Sequence, residues 1–212
     1  MASLETAHAF PDEIVANNLE VIESLAASAF LSTLLSPIPV QFEGATLIVP
    51  RRVYYSVELV DAAIGGSDDG AIVAACLGAR SHDGYLRQLS IEALLREPRP
   101  WSVPYLVEAV GEYVVEILQV LEGRLPGEFG SHFAAYLIAN EDHFSRLCRQ
   151  CVSYWNEFDR YRYEGLYPDW NTYPGARIIA DLTATAQSLE PSFGSGLENV
   201  LPNRRALRSR RD

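Results

Sequence analysis

Cys148-Arg149-Gln150-Cys151 is a C-x-x-C, and His143 precedes it by five residues. That spacing can serve a redox dithiol or half of a zinc site. A redox dithiol needs its first cysteine at a helix N-terminus, where the thiolate is stabilised. Here the flanking pattern places both cysteines mid-helix. A closed zinc site needs four ligands, and no second C-x-x-C or histidine pair is present. The residues therefore read as two small side chains on one buried helix face. A second set is acidic. Glu108, Glu112, Glu116 and Gln119 fall on one stripe of a helix expected over Val103–Arg124. Such stripes hold two metals when Glu-x-x-His motifs from other helices join them, but Glu5-x-x-His8 is the only such motif. The stripe is expected to face solvent or to pair with Arg87 and Arg80. A third set, Arg80, His82 and Asp83, shares one turn and could form a polar binding site. The fourth set is aromatic: Tyr154, Trp155, Phe158, Tyr161, Tyr163, Tyr167, Trp170 and Tyr173 are eight of the chain's 22 aromatic residues. Tyr154, Phe158 and Tyr161 share a helical face with Trp155 beside them, and that face is expected to be core; Tyr167, Trp170 and Tyr173 lie in a loop that either closes over the core or presents a binding patch. No nucleophile elbow is present, and Gly65-Gly66 and Gly194-Ser195-Gly196 do not follow a strand as a phosphate loop would.

These residues need a scaffold, and the hydrophobic periodicity makes it helical. Pro11–Ser36 reads as a helix with Asp12 near its start and Pro37 at its end. Ile38–Val49 alternates about Glu43-Gly44 and predicts a small β-hairpin. Helices are expected over Arg51–Ile64, over Ala71–Ala79 behind an Asp cap, and over Tyr85–Arg96. The apolar Val103–Arg124, then Phe129–Ile138, Glu141–Tyr163 and Ala176–Leu189, are expected to follow. The implied fold is all-α with one hairpin. Residues 1–190 form one helical domain and 191–212 a flexible arginine-rich tail.

Asp83-x-x-Leu86-Arg87-x-x-Ser90-x-x-Ala93-Leu94 resembles the second helix of a HEAT repeat. Asp83 can cap the helix, and Ser90 and Ala93 are small enough for close packing. Leu86 is expected to be buried. Arg87, one turn after Asp83, is expected to be partly exposed and in reach of a carboxylate. Val103-Pro104-Tyr105-Leu106-Val107 looks like the opening of a following unit, and Glu112–Glu116 is a weaker echo. The resemblance covers about a quarter of the chain, roughly Asp69–Arg124. It implies a HEAT-like antiparallel bundle or short solenoid. The GEYVVEI and SYWN stretches are also similar to bacterial proteins that carry no activity to transfer.

Charge narrows the partners. The formal charge is −11, every one of the 17 basic residues is arginine, and five of these lie in Arg204–Arg211. Met1–Asn203 holds 12 arginines against 27 acids. Such a body repels a phosphate backbone and attracts a basic partner. The absence of lysine points to a GC-rich bacterial genome. Three cysteines are too few for a disulfide framework, no apolar run approaches the roughly 20 residues of a membrane span, and no secretory leader is read. The expectation is a cytoplasmic, non-enzymatic interaction module that presents an acidic helical surface to a macromolecular partner. No metal, cofactor or catalytic residue is assigned, and nucleic acid enters only through the tail. The expected binding residues are Arg80, His82, Asp83, Arg87, Glu112, Glu116, Tyr167 and Trp170. The alternative is an enzyme or small-molecule binder with a polar site between Glu112/Glu116, Arg80-His82-Asp83 and the Tyr167–Tyr173 loop.

Overall fold

The computed structural model describes residues 8–31, 36–162 and 167–202. These residues are mostly helical with one two-stranded antiparallel sheet among them. It divides into two compact units, Met1–Leu106 and Val107–Asp212, and the division falls inside the helix Val103–Glu108.

In the first unit the expected opening helix is two helices, α1 (Asp12–Asn17) and α2 (Leu19–Ala27). Asn18 separates them, its backbone off helical geometry and its amide donating to the Ile14 carbonyl at 2.9 Å. β1 (Ile38–Phe42) and β2 (Ala45–Val49) form the expected hairpin, with Ile38 opposite Val49 and Phe42 opposite Ala45. Glu43 and Gly44 both have positive φ, 49° and 83°, as a tight primed turn demands. The following helix, α3 (Val57–Ala63), starts later than expected. Arg51–Ser56 is extended instead, because Val53 pairs with the 80–82 loop: its N–H donates to the Arg80 carbonyl at 2.8 Å, and its carbonyl accepts from His82 at 2.9 Å. Ser56 then caps α3, its hydroxyl accepting from the Leu59 N–H at 3.3 Å.

α4 (Asp69–Gly78) and α5 (Gly84–Arg96) form the centre of this unit. Asp68 and Asp83 cap them, each accepting a backbone N–H at 2.8 Å. α4 is buried from Ala71 to Gly78, which its run of small apolar residues allows. The two helices approach so closely that a Cβ on Gly78 would lie 2.2 Å from Ser90 Oγ. Small residues at both positions set that distance.

In the second unit, the long helix expected over Val103–Arg124 is interrupted. α6 (Val103–Glu108) runs into a 3-10 turn at Ala109–Gly111, Glu112 is extended with ψ 147°, and α7 (Val115–Leu121) resumes. The break lies at Gly111, where a Cβ would approach Leu147 Cδ2 to 2.9 Å. α8 (Gly130–Ala139), α9 (Glu141–Tyr154) and α10 (Pro174–Gln187) follow, close to expectation. α9 continues through a π-helical turn, Trp155–Asp159, into one further turn, Arg160–Arg162. α10 packs on α7 and α8.

The tail was expected to begin at Pro191, but residues 191–201 form turns with packed contacts. Phe193 stacks on Phe144 at 6.0 Å, its carbonyl accepts from Gln187, and the Gly194 N–H donates to Glu141 at 2.8 Å. Two buried apolar residues, Phe193 and Leu197, supply the core contact that composition alone concealed. The arginine run at 204–211 lies outside the described residues. Phe193→Ala is therefore expected to destabilise the protein by about 3 kcal/mol, the cost of deleting a buried ring. Urea denaturation checks this, and a cost within ~0.5 kcal/mol would mean the segment is undocked.

Candidate functional site

The residues singled out by type and spacing fall in both units. Arg80, His82, Asp83 and Arg87 belong to the first; Glu112, Glu116, Tyr167 and Trp170 belong to the second.

In the first unit, most of the charged residues serve the fold. Arg80 is 5% exposed and donates to the Pro50 carbonyl at 3.1 Å and the Arg51 carbonyl at 2.8 Å. Arg87 was expected at a partly exposed position, yet it is 1% exposed. It donates from Nη1 to the Ser81 carbonyl at 3.0 Å and the His82 carbonyl at 3.1 Å. Arg52 donates to the same Ser81 oxygen at 3.0 Å. Asp83 is the α5 cap. Carbonyls turned toward guanidinium groups hold the 80–83 loop against residues 50–53. His82 differs: its ring is exposed, stacked on Tyr54 at 5.3 Å and met edge-on by Phe30 at 5.2 Å.

The acidic stripe of the second unit does not survive as one helix face. The interruption at Gly111 buries Glu108 and Glu112 and leaves Glu116 exposed. Glu108 makes a short contact with His143 Nε2, and Arg146 lies 3.4 Å from His143 Nδ1. If Arg146 donates to Nδ1, the Nε2 proton faces the carboxylate. Gln119 donates to the Tyr167 hydroxyl at 2.8 Å.

The aromatic segment divides into an inner and an outer set. Trp170 is buried against Trp155 at 5.4 Å and Tyr173 at 5.7 Å. The Trp155 indole donates to the Tyr167 carbonyl at 2.9 Å, and the buried Tyr173 hydroxyl donates to Asp159 at 2.9 Å. Burial, then the neighbouring Cys151 and Asp159, raise the Tyr173 phenol, so it stays a proton donor. Trp170 and Tyr173 thus close the core. The face expected to be core does not hold: Phe158 and Tyr161 are exposed at 40% and 72%, and with Tyr113 at 50% they form an outer set.

Cys148 and Cys151 are buried thiols mid-way along α9. Burial pushes the Cys148 thiol up to about 12, with Arg149 pulling weakly the other way. Burial also raises Cys151, helped by Cys148 and Asp159. A Cβ on Gly175 would sit 2.4 Å from Cys151 Sγ, so no room remains beside that sulfur. Thiols held this far above neutral pH are poor nucleophiles. Among the described residues, no group of three His, Cys, Asp or Glu side chains is placed to share a metal ion. None of their helices is long and apolar enough to cross a membrane.

Comparison with family models, curated proteins and solved structures finds no match. The arrangement stands on its own geometry. Sequence reasoning missed two pairs, Glu108–His143 and Asp159–Tyr173, because each joins residues with no local spacing signal. It also missed Tyr113, on a helix then read as continuous.

Two outcomes follow. Arg87→Ala takes the donor from the His82 carbonyl and one of two donors from the Ser81 carbonyl, empties a buried position, and is expected to cost about 3 kcal/mol in urea denaturation. Glu116→Ala should stay within about 0.5 kcal/mol. Equal midpoints for the two would contradict the burial. For the thiols, the unfolded state ionises near 9.0, well before folded Cys148 does. The stability they contribute is complete below that value and declines as pH rises toward about 12. Cys148→Ala with Cys151→Ala should fold and show a flatter alkaline decline, measured by urea midpoints at about pH 8 and about pH 10.5. The native thiols should resist a disulfide reagent until the chain unfolds.

Proposed function

We propose that the chain is a non-enzymatic interaction module, built on a HEAT-like helix pair, that presents an acidic helical surface to a basic macromolecular partner in the cytoplasm. The observation that carries this reading is the division of its reactive residues. The arginines and Asp83 of the 80–87 segment are spent on backbone carbonyls and a helix cap, and both C-x-x-C thiols are buried. The groups at the surface include carboxylates and aromatic rings, among them Glu116, Tyr113 and Tyr161. Those are groups for contact with another macromolecule. The α4–α5 pair supports the HEAT-like assignment through its Asp83 cap, its inward Leu86 and Arg87, and the close approach at Gly78 and Ser90. The formal charge of −11 favours a basic partner.

Tagged full-length chain recovered from its source cell should bring down one protein in near-equal amount, released as salt is raised. Recovery of the chain alone, or with nucleic acid in place of protein, would overturn the reading.

A further inference from the structure

We infer that the outer aromatic strip of the second unit is a docking surface for an arginine-bearing peptide segment of the partner. The inference rests on the interaction reading above and names its surface and chemistry.

From Tyr113 to Phe158 the strip is a chain of ring contacts. Tyr113 meets Tyr154 at 6.0 Å and 74°, and Tyr154 meets Phe158 at 6.0 Å. Tyr161 follows on the next turn. Tyr113 is 50% exposed, Phe158 40% and Tyr161 72%, so ring surface is open to solvent along the strip. Rings grouped at one surface are a recognition feature, whereas a single exposed ring is ordinary.

Two observations select the occupant. The first is guanidinium geometry. Arg160 lies 5.1 Å over the Trp155 ring and 5.1 Å over the Tyr161 ring, so this segment already holds a planar cation against its aromatic faces. The rings of Tyr113, Tyr154 and Phe158 offer the same chemistry to a guanidinium from outside. The second is charge. Residues 107–203 carry 14 acids against six arginines. Exposed Glu116 stands one turn before Gln119, which is bonded to Tyr167, and exposed Glu157 precedes Tyr161 by four residues along the strip. Among the described side chains, the arginines of this stretch of helix are engaged: Arg146 with His143, Arg149 with Ser145 at 3.0 Å, and Arg160 with Asn156 at 3.1 Å. Arginine fits both features, because its flat group stacks on a ring while its fork reaches a carboxylate; lysine does neither as well. A phosphate-bearing strand meets the same rings but is repelled by the acids.

The test uses the full chain and a labelled Arg–Gly repeat peptide, followed by fluorescence anisotropy. A Lys–Gly peptide of equal length is the chemical control. The Arg–Gly peptide should bind more tightly than the Lys–Gly peptide, and binding should weaken as salt rises. Phe158→Ala with Tyr161→Ala should weaken Arg–Gly binding roughly tenfold while leaving the thermal midpoint nearly unchanged, since both rings are exposed. Tyr85→Ala, an 82% exposed ring in the first unit, should leave binding as it was. Equal affinity for the two peptides, or no loss in the double variant, would overturn the inference. So would a single-stranded oligonucleotide that displaces the peptide. Binding seen only after the arginines of 204–211 are changed to glutamine would give the surface to the chain's own run and overturn the assignment to a partner. If the cellular partner is recovered equally by wild-type and double-variant chains, the surface fails and the interaction reading stands. If the peptide binds as described but no partner is recovered, the surface stands and the interaction reading fails.

Discussion

A buried guanidinium is tolerable only when its N–H groups find acceptors, and that requirement organises the first unit. Arg80 and Arg87 are almost wholly removed from solvent. Leaving either cation without partners would cost several kcal/mol. The acceptors include the carbonyls of Pro50, Arg51, Ser81 and His82, which lie on two segments far apart in sequence. The hydrogen bonds of Arg80 and Arg52 and the Val53–Ser81 bridge together hold residues 50–53 against the 80–82 loop. The same loop supplies Asp83 to cap α5. α5 in turn meets α4 at the Gly78–Ser90 contact, where no larger pair would fit.

The second unit meets the same demand with different groups. Glu108 is buried with His143 beside it, and Asp159 is buried with the Tyr173 hydroxyl donating to it. Each acid finds a donor on another part of the chain, as buried carboxylates require. The sulfurs of α9 answer a packing need: Cys151 fits where Gly175 comes closest. After these demands are met, other groups still face solvent. His82 on Tyr54, the carboxylate of Glu116, and the rings of Tyr113, Phe158 and Tyr161 are among them. The candidate surface is what the fold does not consume.

Much of the scaffold was legible in the sequence, for local reasons. The hairpin announced itself by alternation around Glu43-Gly44, and Asp68 and Asp83 marked helix starts because capping is a short-range interaction. Leu86 and Ser90 faced inward as the repeat-like pattern implied. The breaks were not legible. Asn18 and Gly111 interrupt apolar runs whose periodicity continues across them, and Gly111 matters only because Leu147 packs there. That contact is tertiary, so spacing could not place Glu108 and Glu112 inside and Glu116 outside. Arg87 was misjudged as partly exposed for the same reason: its burial comes from tertiary packing. The aromatic segment was found by density, but its sorting into inner Trp170 and Tyr173 and outer Phe158 and Tyr161 is a matter of tertiary packing, and helical spacing wrongly put Phe158 and Tyr161 in the core.

The central claim is that the charged loop of the first unit is structural, while the outer aromatic strip of the second is where the chain meets its partner. Hydrogen exchange of the full chain, with and without the Arg–Gly peptide, tests both halves together. The account predicts new protection confined to the backbone around Tyr113 and from Tyr154 to Tyr161. It also predicts that the amides of Val53 and His82, already bonded across the loop, are slow to exchange with or without peptide. Protection gained at residues 80–87 instead, or fast exchange at Val53 and His82 in the free chain, would contradict it.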